Sequence, residues 1–169
     1  MQYRDRAGAA GADWKQERPE LDFRAMVLFG RLGEAAQLVM THHATPFMAR
    51  YGLKVGEFDV LSTLRRAGAP YELNPTDLYA TTMLSSGGMT SRLDRLAEAG
   101  LIERRPDPND RRGTRVALTP KGLDLIDGMI EAHTRNKQAL AADMSQAEQE
   151  QLSALLAKLI HSVDPAAKG

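Results

Sequence analysis

Seven arginines lie between positions 92 and 115, and they are the side chains of this sequence best suited to binding an anion: Arg92, Arg95, Arg104, Arg105, Arg111, Arg112 and Arg115. A guanidinium group is always charged and forms paired hydrogen bonds with phosphate oxygens or with the edge of guanine. Five acidic residues share this stretch, however, and the formal net charge of the chain is zero. Charge alone therefore does not predict a nucleic-acid partner, and the prediction depends on how the chain positions these arginines.

A predicted helix carries the first of these arginines, and small residues surround its start. Ser85 or Ser86 is expected to cap this helix, which runs to Ala99 and ends at Gly100. Its buried face is expected to be an apolar stripe made of Met89, Leu93 and Leu96. The opposite face, which includes Arg95, is then available to a partner.

Such a helix can enter the major groove of DNA by its N-terminal end, where small residues allow the backbone to approach closely. Hydroxyl groups and free backbone amides at that end can bind phosphates. The expected DNA contacts on the helix are Ser85, Ser86, Gly88, Thr90, Ser91 and Arg95. The alternative is an ordinary amphipathic helix with a solvated polar face. It gives no reason to keep two glycines that weaken a first turn by roughly 1 kcal/mol each.

A hairpin is predicted to follow, with strands at Leu101–Arg105 and Thr114–Leu118 and the loop PDPNDRRG between them. Arg111 and Arg112 are expected at the tip, where an arginine can enter the minor groove of DNA. Asp110 lies two residues from Arg112 and can orient its guanidinium group. These three residues are therefore further expected DNA contacts, and the alternative is a charged, soluble turn.

Four segments are expected along the chain. Residues 1–12 are small and polar and are expected to be a disordered arm. Residues 13–50 hold N-terminal helices, because apolar residues recur at helical spacing from Leu21 until a stop near Pro46. Residues 51–118 form the short helix, turn, longer helix and hairpin of a winged helix-turn-helix. Residues 119–169 are helical, with Ser145 and Glu148 as a capping box for the last helix.

Apolar stripes on the terminal helices predict a homodimer. The last helix has its stripe at Leu152, Leu155, Leu159 and Val163. A small winged-helix core could not cover all of this apolar surface, and exposed stripes of this kind normally pair. An intramolecular bundle of the same helices remains the alternative.

The segment LSSGGMTSRLDRLAEAGLIERRPDPNDRRGTRVALTPKG resembles the core of the MarR family of transcription regulators, through the pattern T-x-R-x-x-R-L, G-L-[IV]-x-R, D-x-R and L-T-x-x-G. The resemblance implies a mainly α fold with a small β-hairpin wing and a dimer built from the N- and C-terminal helices. It also implies binding to double-stranded, pseudo-palindromic DNA that a small molecule modulates. By that resemblance Asp110 and Arg112 take the wing roles argued above.

The chain is also similar to those family members that carry an N-terminal tryptophan helix and respond to urate or related aromatic anions. That similarity implies a ligand pocket formed by Trp14, Asp59, Arg92 and Arg104, and a repressor that leaves its operator when the anion binds. Independently, Arg92 lies on the shoulder of the apolar stripe and is better placed for an internal pocket than for DNA. Each of the other three has a structural alternative: a packing tryptophan, a solvated carboxylate and a phosphate contact. A phenolic or other organic acid, or no ligand at all, remain alternatives to urate.

Other functions have little support in the sequence. There are no cysteines, which excludes disulfides and thiolate metal sites. No catalytic or phosphate-loop motif occurs, so the chain is not expected to be an enzyme, and no cofactor or metal is expected. No apolar run is long enough to span a bilayer and no secretory signal is present, so we expect a cytoplasmic protein without membrane contact.

Overall fold

The N-terminal region of the computed structural model, which describes residues 5–82, 88–108 and 110–165, begins with helix α1 at Arg6–Glu17. Of the segment 1–12 that was expected to be disordered, the described residues 5–12 are instead ordered as the cap and first turns of this helix. The side chain of Asp5 caps α1 by accepting a hydrogen bond from the Gly8 amide at 2.9 Å. The same carboxylate pairs with Arg31 on helix α2, which spans Arg24–Val39. Arg31 holds the pKa of Asp5 below its usual value.

Small residues bring α1 and α2 together, which explains why a Gly- and Ala-rich segment is ordered. A Cβ atom added at Gly11 would lie 2.3 Å from Cγ2 of Val27, and one added at Gly30 would lie 2.9 Å from Cβ of Ala7. Neither contact leaves room for a side chain. The small residues that suggested disorder instead form the surface on which α1 and α2 pack.

Pro46 does not end the N-terminal helix, in contrast to our expectation. A π-helical segment, Met40–Ala44, follows α2, and helix α3 continues at Thr45–Ala49. The Thr45 amide bonds to the carbonyl of Met40, five residues back. Pro46 then lies in the first turn of α3, where a missing N–H group costs little. The wider π turn therefore carries the helix past the proline.

The predicted winged helix-turn-helix is confirmed in its order of elements. Helix α4 spans Val55–Arg66, strand β1 Glu72–Leu73, helix α5 Pro75–Thr81 and helix α6 Met89–Glu98. Strands β2 (Ile102–Asp107) and β3 (Asp110–Leu118) form the hairpin. The sheet is antiparallel with the order β1-β3-β2, and Ile102 is paired with Leu118.

The core of this region is apolar and closely packed. α4 contributes three of its most deeply buried side chains, and the other helices and strands supply the rest. The members exposed by 2% or less are Val60, Leu61, Leu64, Leu78, Met89, Leu96, Ile102, Val116 and Ala117. The rigid base for α6 and the hairpin is thus α4 with the small sheet.

Two helices complete the chain. The described residues divide into two compact units, one ending at Gly122 and one starting at Leu123. Helix α7 spans Pro120–Leu140, and α8 spans Gln146–Val163. The capping box expected at the start of α8 is confirmed: the Ser145 amide donates to Oε2 of Glu148 at 2.8 Å. No helix in the described part of the chain is long and apolar enough to cross a membrane.

Apolar surface on α2 and α8 remains uncovered in the single chain. Neither helix has a buried residue. Their large exposed apolar side chains include Met26, Leu28, Phe29, Leu152, Leu155, Ile160 and Val163. Leu155, in the stripe expected from the sequence, is 58% exposed.

Candidate nucleic-acid interface

Helix α6 begins later than the sequence suggested. Its first residue is Met89, and Gly88 precedes it as the N-cap residue with φ at +78°. Glycine adopts this left-handed backbone without steric cost. Gly88 therefore lies outside the first turn that we expected it to occupy. Two expected DNA contacts, Ser85 and Ser86, fall outside the described residues.

The two faces of α6 divide largely as expected. Met89, Leu93 and Leu96 are buried, which confirms the apolar stripe. Thr90 and Ser91 are exposed in the first turn, so their hydroxyls are accessible to a partner. The helix thus presents a short polar N-terminal end on an apolar base.

Arg95 has a partner inside the protein. Its Nε atom lies 2.5 Å from Oε1 of Glu57 in the first turn of α4, and its Nη1 atom donates to Oγ of Ser91 at 2.8 Å. Glu57 is only 5% exposed. Sequence reasoning missed Glu57, although its position three residues after Lys54 is that of a capping-box acid, and its carboxylate accepts from the Lys54 amide at 2.8 Å.

Arg92 lies against the same turn of α4. A Cβ atom added at Gly56 would lie 2.6 Å from its Nε atom, so the guanidinium crosses the bare backbone of that glycine. Asp59 follows Gly56 by three residues and is therefore a neighbour on the helix surface. Asp59 is 8% exposed, which contradicts the alternative of a solvated carboxylate. Two of the four expected ligand residues are thus brought to one region of α4.

The other two expected ligand residues lie elsewhere. Nη2 of Arg104 donates to Oδ1 of Asp94 at 2.7 Å. Asp94 is two residues from Arg92, which places the two on different sides of α6. Trp14 belongs to α1 and is half exposed, and its ring stacks on Phe23 with 6.1 Å between centroids.

The hairpin strands are longer than expected. β3 begins at Asp110, which is paired with Asp107, so the chain reverses direction between these two residues. Arg111 and Arg112 therefore belong to the backbone of β3 rather than to a loop; their side chains lie outside the described part of the structure. The register of the pairing shifts between Pro106, which is paired with Thr114, and Asp107, which is paired with Asp110.

An ion pair lies near the turn end of this hairpin. Nε of Arg115 lies 2.8 Å from Oδ2 of Asp107, whose side chain is only 10% exposed. Gly113 fits beside the pair, since an added Cβ would lie 2.8 Å from Cβ of Asp107. The wing is thus anchored close to the residues expected to contact DNA.

The end of α6 is fixed to the start of α7. Lys121 donates through Nζ to the Ala99 carbonyl at 2.7 Å, and Thr119 donates through Oγ1 to the Gly100 carbonyl at 2.7 Å. These bonds satisfy carbonyls that the end of a helix leaves open. Thr119 and Lys121 both lie within the sequence pattern L-T-x-x-G. Their bonds to the end of α6 could not be inferred without the fold.

A helix with an open polar N-terminus, set on an α4 base and followed by an arginine-bearing hairpin, defines a winged helix-turn-helix DNA-binding protein. Residues 51–113 match the profile of the MarR family. The chain is 37% identical over 146 residues to the HTH-type transcriptional regulator PecS of Dickeya dadantii, covering 86% of this chain and 87% of that protein. It is 30% identical over 123 residues to the multiple antibiotic resistance protein MarR of Salmonella typhimurium, covering 73% of this chain and 81% of that one.

A solved structure agrees with these relatives. A mutant MarR from E. coli complexed with operator DNA superposes with a TM-score of 0.70 at 27% identity, covering 82% of this chain and 97% of that one. The chain belongs to the MarR family. It is a DNA-binding transcription regulator, as the sequence predicted.

Proposed function

We propose that this regulator is a homodimer that represses transcription by binding a pseudo-palindromic operator with one α6 helix per subunit. The observation that carries the proposal is the exposed polar start of α6, with Thr90 and Ser91 accessible and the arginine hairpin beside it in sequence. In this arrangement α6 enters the major groove and the wing reaches the adjacent minor groove. The operator-bound form of MarR, a structural relative, supports it.

The uncovered apolar surface supports the dimer. Phe29 on α2 is 50% exposed, and Ile160 on α8 is 62% exposed. A cavity of about 450 Å³ within the second unit is lined mainly by apolar residues that include Leu152, Leu156 and Ile160. Burying such surface against a second copy would stabilise the dimer by about 25 cal/mol for each Å² of apolar surface removed from water. Two-fold symmetry of the dimer then requires two-fold symmetry of the operator.

DNA binding is tested with labelled duplexes from the region upstream of this protein's own gene. Fluorescence anisotropy should show tight binding of a dimer to two half-sites about 10 bp apart from centre to centre. Scrambling one half-site should abolish most of the affinity, and affinity should fall steeply with added salt. Binding of a monomer to one half-site without dependence on salt would contradict the proposal.

We further propose that a small planar anion, with urate as the first candidate, binds beside α4 and α6 and lowers DNA affinity. Arg92 supplies a guanidinium that can form paired hydrogen bonds with such an anion. Asp59 is the buried acid on the same α4 surface, so an anion that pairs with Arg92 would change the charge balance at the contact between the two helices. A small rotation of α6 is then enough to change the spacing of the two half-sites.

Release of DNA provides the main readout. Urate should release DNA, and Arg92→Ala should abolish this release while the protein stays folded. Trp14 is the one tryptophan of the chain, so quenching of its fluorescence by urate would add that α1 is close to the bound anion. Lys15→Ala is the control: Lys15 lines a separate cavity of about 610 Å³ between α1 and α2. Loss of the urate response in Lys15→Ala but not in Arg92→Ala would refute the site at Arg92. A response to salicylate but not to urate would identify a phenolic acid as the ligand class, and no response to either would indicate a DNA-binding protein that acts without a ligand.

A further inference from the structure

Helix α6 contacts the first turn of α4 through charged side chains. Arg95 reaches Oε1 of Glu57 at 2.5 Å and Oγ of Ser91 at 2.8 Å, so one guanidinium joins α4 to the start of α6. The side chain of Glu57 is 6% exposed and that of Arg95 is 39% exposed. Charge-assisted hydrogen bonds to a carboxylate that is shielded from water are stronger than those at an exposed surface.

A contact independent of Arg95 also holds the carboxylate of Glu57 in place. Its second oxygen, Oε2, accepts the amide hydrogen of Lys54 at 2.8 Å. The capping box of α4 therefore fixes the direction of the carboxylate, and Arg95 bonds to an anchor with little freedom to move. Removing Arg95 would leave the buried carboxylate of Glu57 without its counterpart, which proteins tolerate poorly.

A second contact acts one turn earlier on α6. Arg92 crosses Gly56, the residue before Glu57, at a distance that leaves no room for a Cβ atom. Arg92 and Arg95 are three residues apart and so lie on one side of the helix. The apolar stripe holds α6 against the core, but apolar contacts are not directional. The directional bond from Arg95 to Glu57, together with the close approach of Arg92 to Gly56, sets the rotation of α6 about its own axis.

The bond to Ser91 links this arrangement to the DNA-facing end. Because Oγ of Ser91 accepts from Arg95, the hydroxyl keeps its own proton available for donation. Ser91 is exposed, so this proton can be donated to a partner outside the helix. Arg95 thereby orients a hydroxyl that is suited to a phosphate or a base edge.

We propose that Glu57 and Arg95 are positioning residues for DNA recognition: Arg95 acts by fixing the rotation of α6 and the orientation of the Ser91 hydroxyl, and it does not itself contact phosphate. This rests on the proposed function, since it assumes that α6 is the helix that enters the groove. It replaces the direct DNA contact that the sequence suggested for Arg95.

The test compares Arg95→Ala, Arg95→Lys, Glu57→Gln and the double variant Glu57→Gln with Arg95→Ala. Operator affinity is measured by anisotropy over a series of salt concentrations. Each single variant should lose about tenfold or more in affinity, and the double variant should lose no more than the weaker-binding single variant, because the two residues act as a unit. The slope of affinity against salt should stay at the wild-type value, since no phosphate contact is lost. Arg95→Lys should behave like Arg95→Ala, because an ammonium group on a flexible stem lacks the planar fork that holds the guanidinium between Glu57 and Ser91.

Three controls keep the result decisive. Glu98→Gln removes an exposed acid from the other end of α6 and should not weaken binding. Circular dichroism checks the folding of each variant; if Glu57→Gln fails to fold, the salt slopes of the two Arg95 variants still decide the question. Without DNA, the NMR signal of the Arg95 Nε–H group should move in Glu57→Gln, which tests the pair independently of the proposed function.

The opposite outcome is equally clear. If Arg95→Ala lowers the salt slope by about one and Glu57→Gln binds like the wild type, Arg95 contacts a phosphate directly and the proposal is wrong. Additive losses in the double variant would also overturn it. Wild-type protein that binds no operator would contradict the proposed function instead.

Discussion

Gly122 lies so close to Leu101 that a Cβ atom added to the glycine would be 1.9 Å from the Leu101 carbonyl oxygen. The obstacle is backbone, which cannot rotate away as a side chain can. Leu101 follows α6, and Gly122 is in the first turn of α7, so the end of α6 and the start of α7 share one close contact. Lys121 strengthens the contact by binding the Ala99 carbonyl.

Gly122→Ala should therefore destabilise the protein by about 1–3 kcal/mol, the range for overpacking a tight site. Gly128→Ala is the matched control in the same helix, because an added Cβ there meets nothing within 4 Å. That control should stabilise the protein by up to about 1 kcal/mol through helix propensity. Urea unfolding curves measure both changes. Equal stability of the two variants would show that the contact is looser than described.

Gly11→Ala should loosen α1 from α2. The new methyl group would lie 2.3 Å from Cγ2 of Val27, and a β-branched side chain has few rotamers in which to move away. Amide hydrogen exchange in α1 should become faster, and the emission of Trp14 should shift to the red as its ring gains contact with water. Gly33→Ala is the control on α2, where the structure leaves open space. Unchanged exchange in Gly11→Ala would argue against close packing of these helices.

His133 should make stability depend on pH. Burial and the nearby positive charge of Lys137 lower the pKa of His133 below its ordinary value of 6.5. The unfolded chain therefore takes up this proton first as the pH falls. The stabilising contribution of neutral His133 to the free energy of unfolding is fully present above about pH 6.5. It is lost as the pH falls through the lower folded-state pKa of His133.

The comparison of His133→Gln with wild type measures this effect. The variant should lose less free energy of unfolding between about pH 6.5 and pH 5. His161→Gln removes an exposed histidine of α8 and should leave the wild-type dependence in place. Identical pH profiles for wild type and His133→Gln would refute the assignment.

Arg112→Ala should weaken operator binding in the absence of ligand by about 1–3 kcal/mol, because it removes an expected minor-groove contact of the wing. The salt dependence should also decrease if the guanidinium neutralises a phosphate on the way. Arg135→Ala serves as the control, since it removes an exposed arginine that pairs with Glu131 on α7. Unchanged affinity of Arg112→Ala at moderate salt would contradict the wing assignment.

The sequence predicted the elements whose signals are local. Asn74 and Ser145 accept the expected capping hydrogen bonds, and the buried stripe of α6 follows from helical spacing. Prediction from the sequence failed where the role of a residue depends on a segment that is distant in the chain. Gly11 suggested disorder because Val27, the residue that it packs on, lies 16 positions away in the chain.

In the candidate site, too, the sequence predicted what local spacing determines and missed what a distant segment determines. Spacing alone indicated that Arg92 faces inward, and the structure places it on α4. Spacing could not show that Arg95 also meets α4, because the helical wheel says nothing about the length of a side chain. An arginine on the polar side can still bend back to a buried acid, and Glu57 is 38 residues away in the sequence.

The π-helical segment at Met40–Ala44 accommodates one extra residue while keeping the direction in which α2 faces. A π turn holds one more residue than an α turn, so each of its residues advances the side-chain direction by less than the roughly 100° of an α-helix. Deleting one residue from this segment would restore a regular helix and leave the side chains of α2 in nearly the same direction relative to the buried Phe47 and Met48 of α3. Phe29 and Leu28 would then still face the same way. A single-codon deletion here would thus shorten the helix and leave unchanged the surface that a second subunit meets.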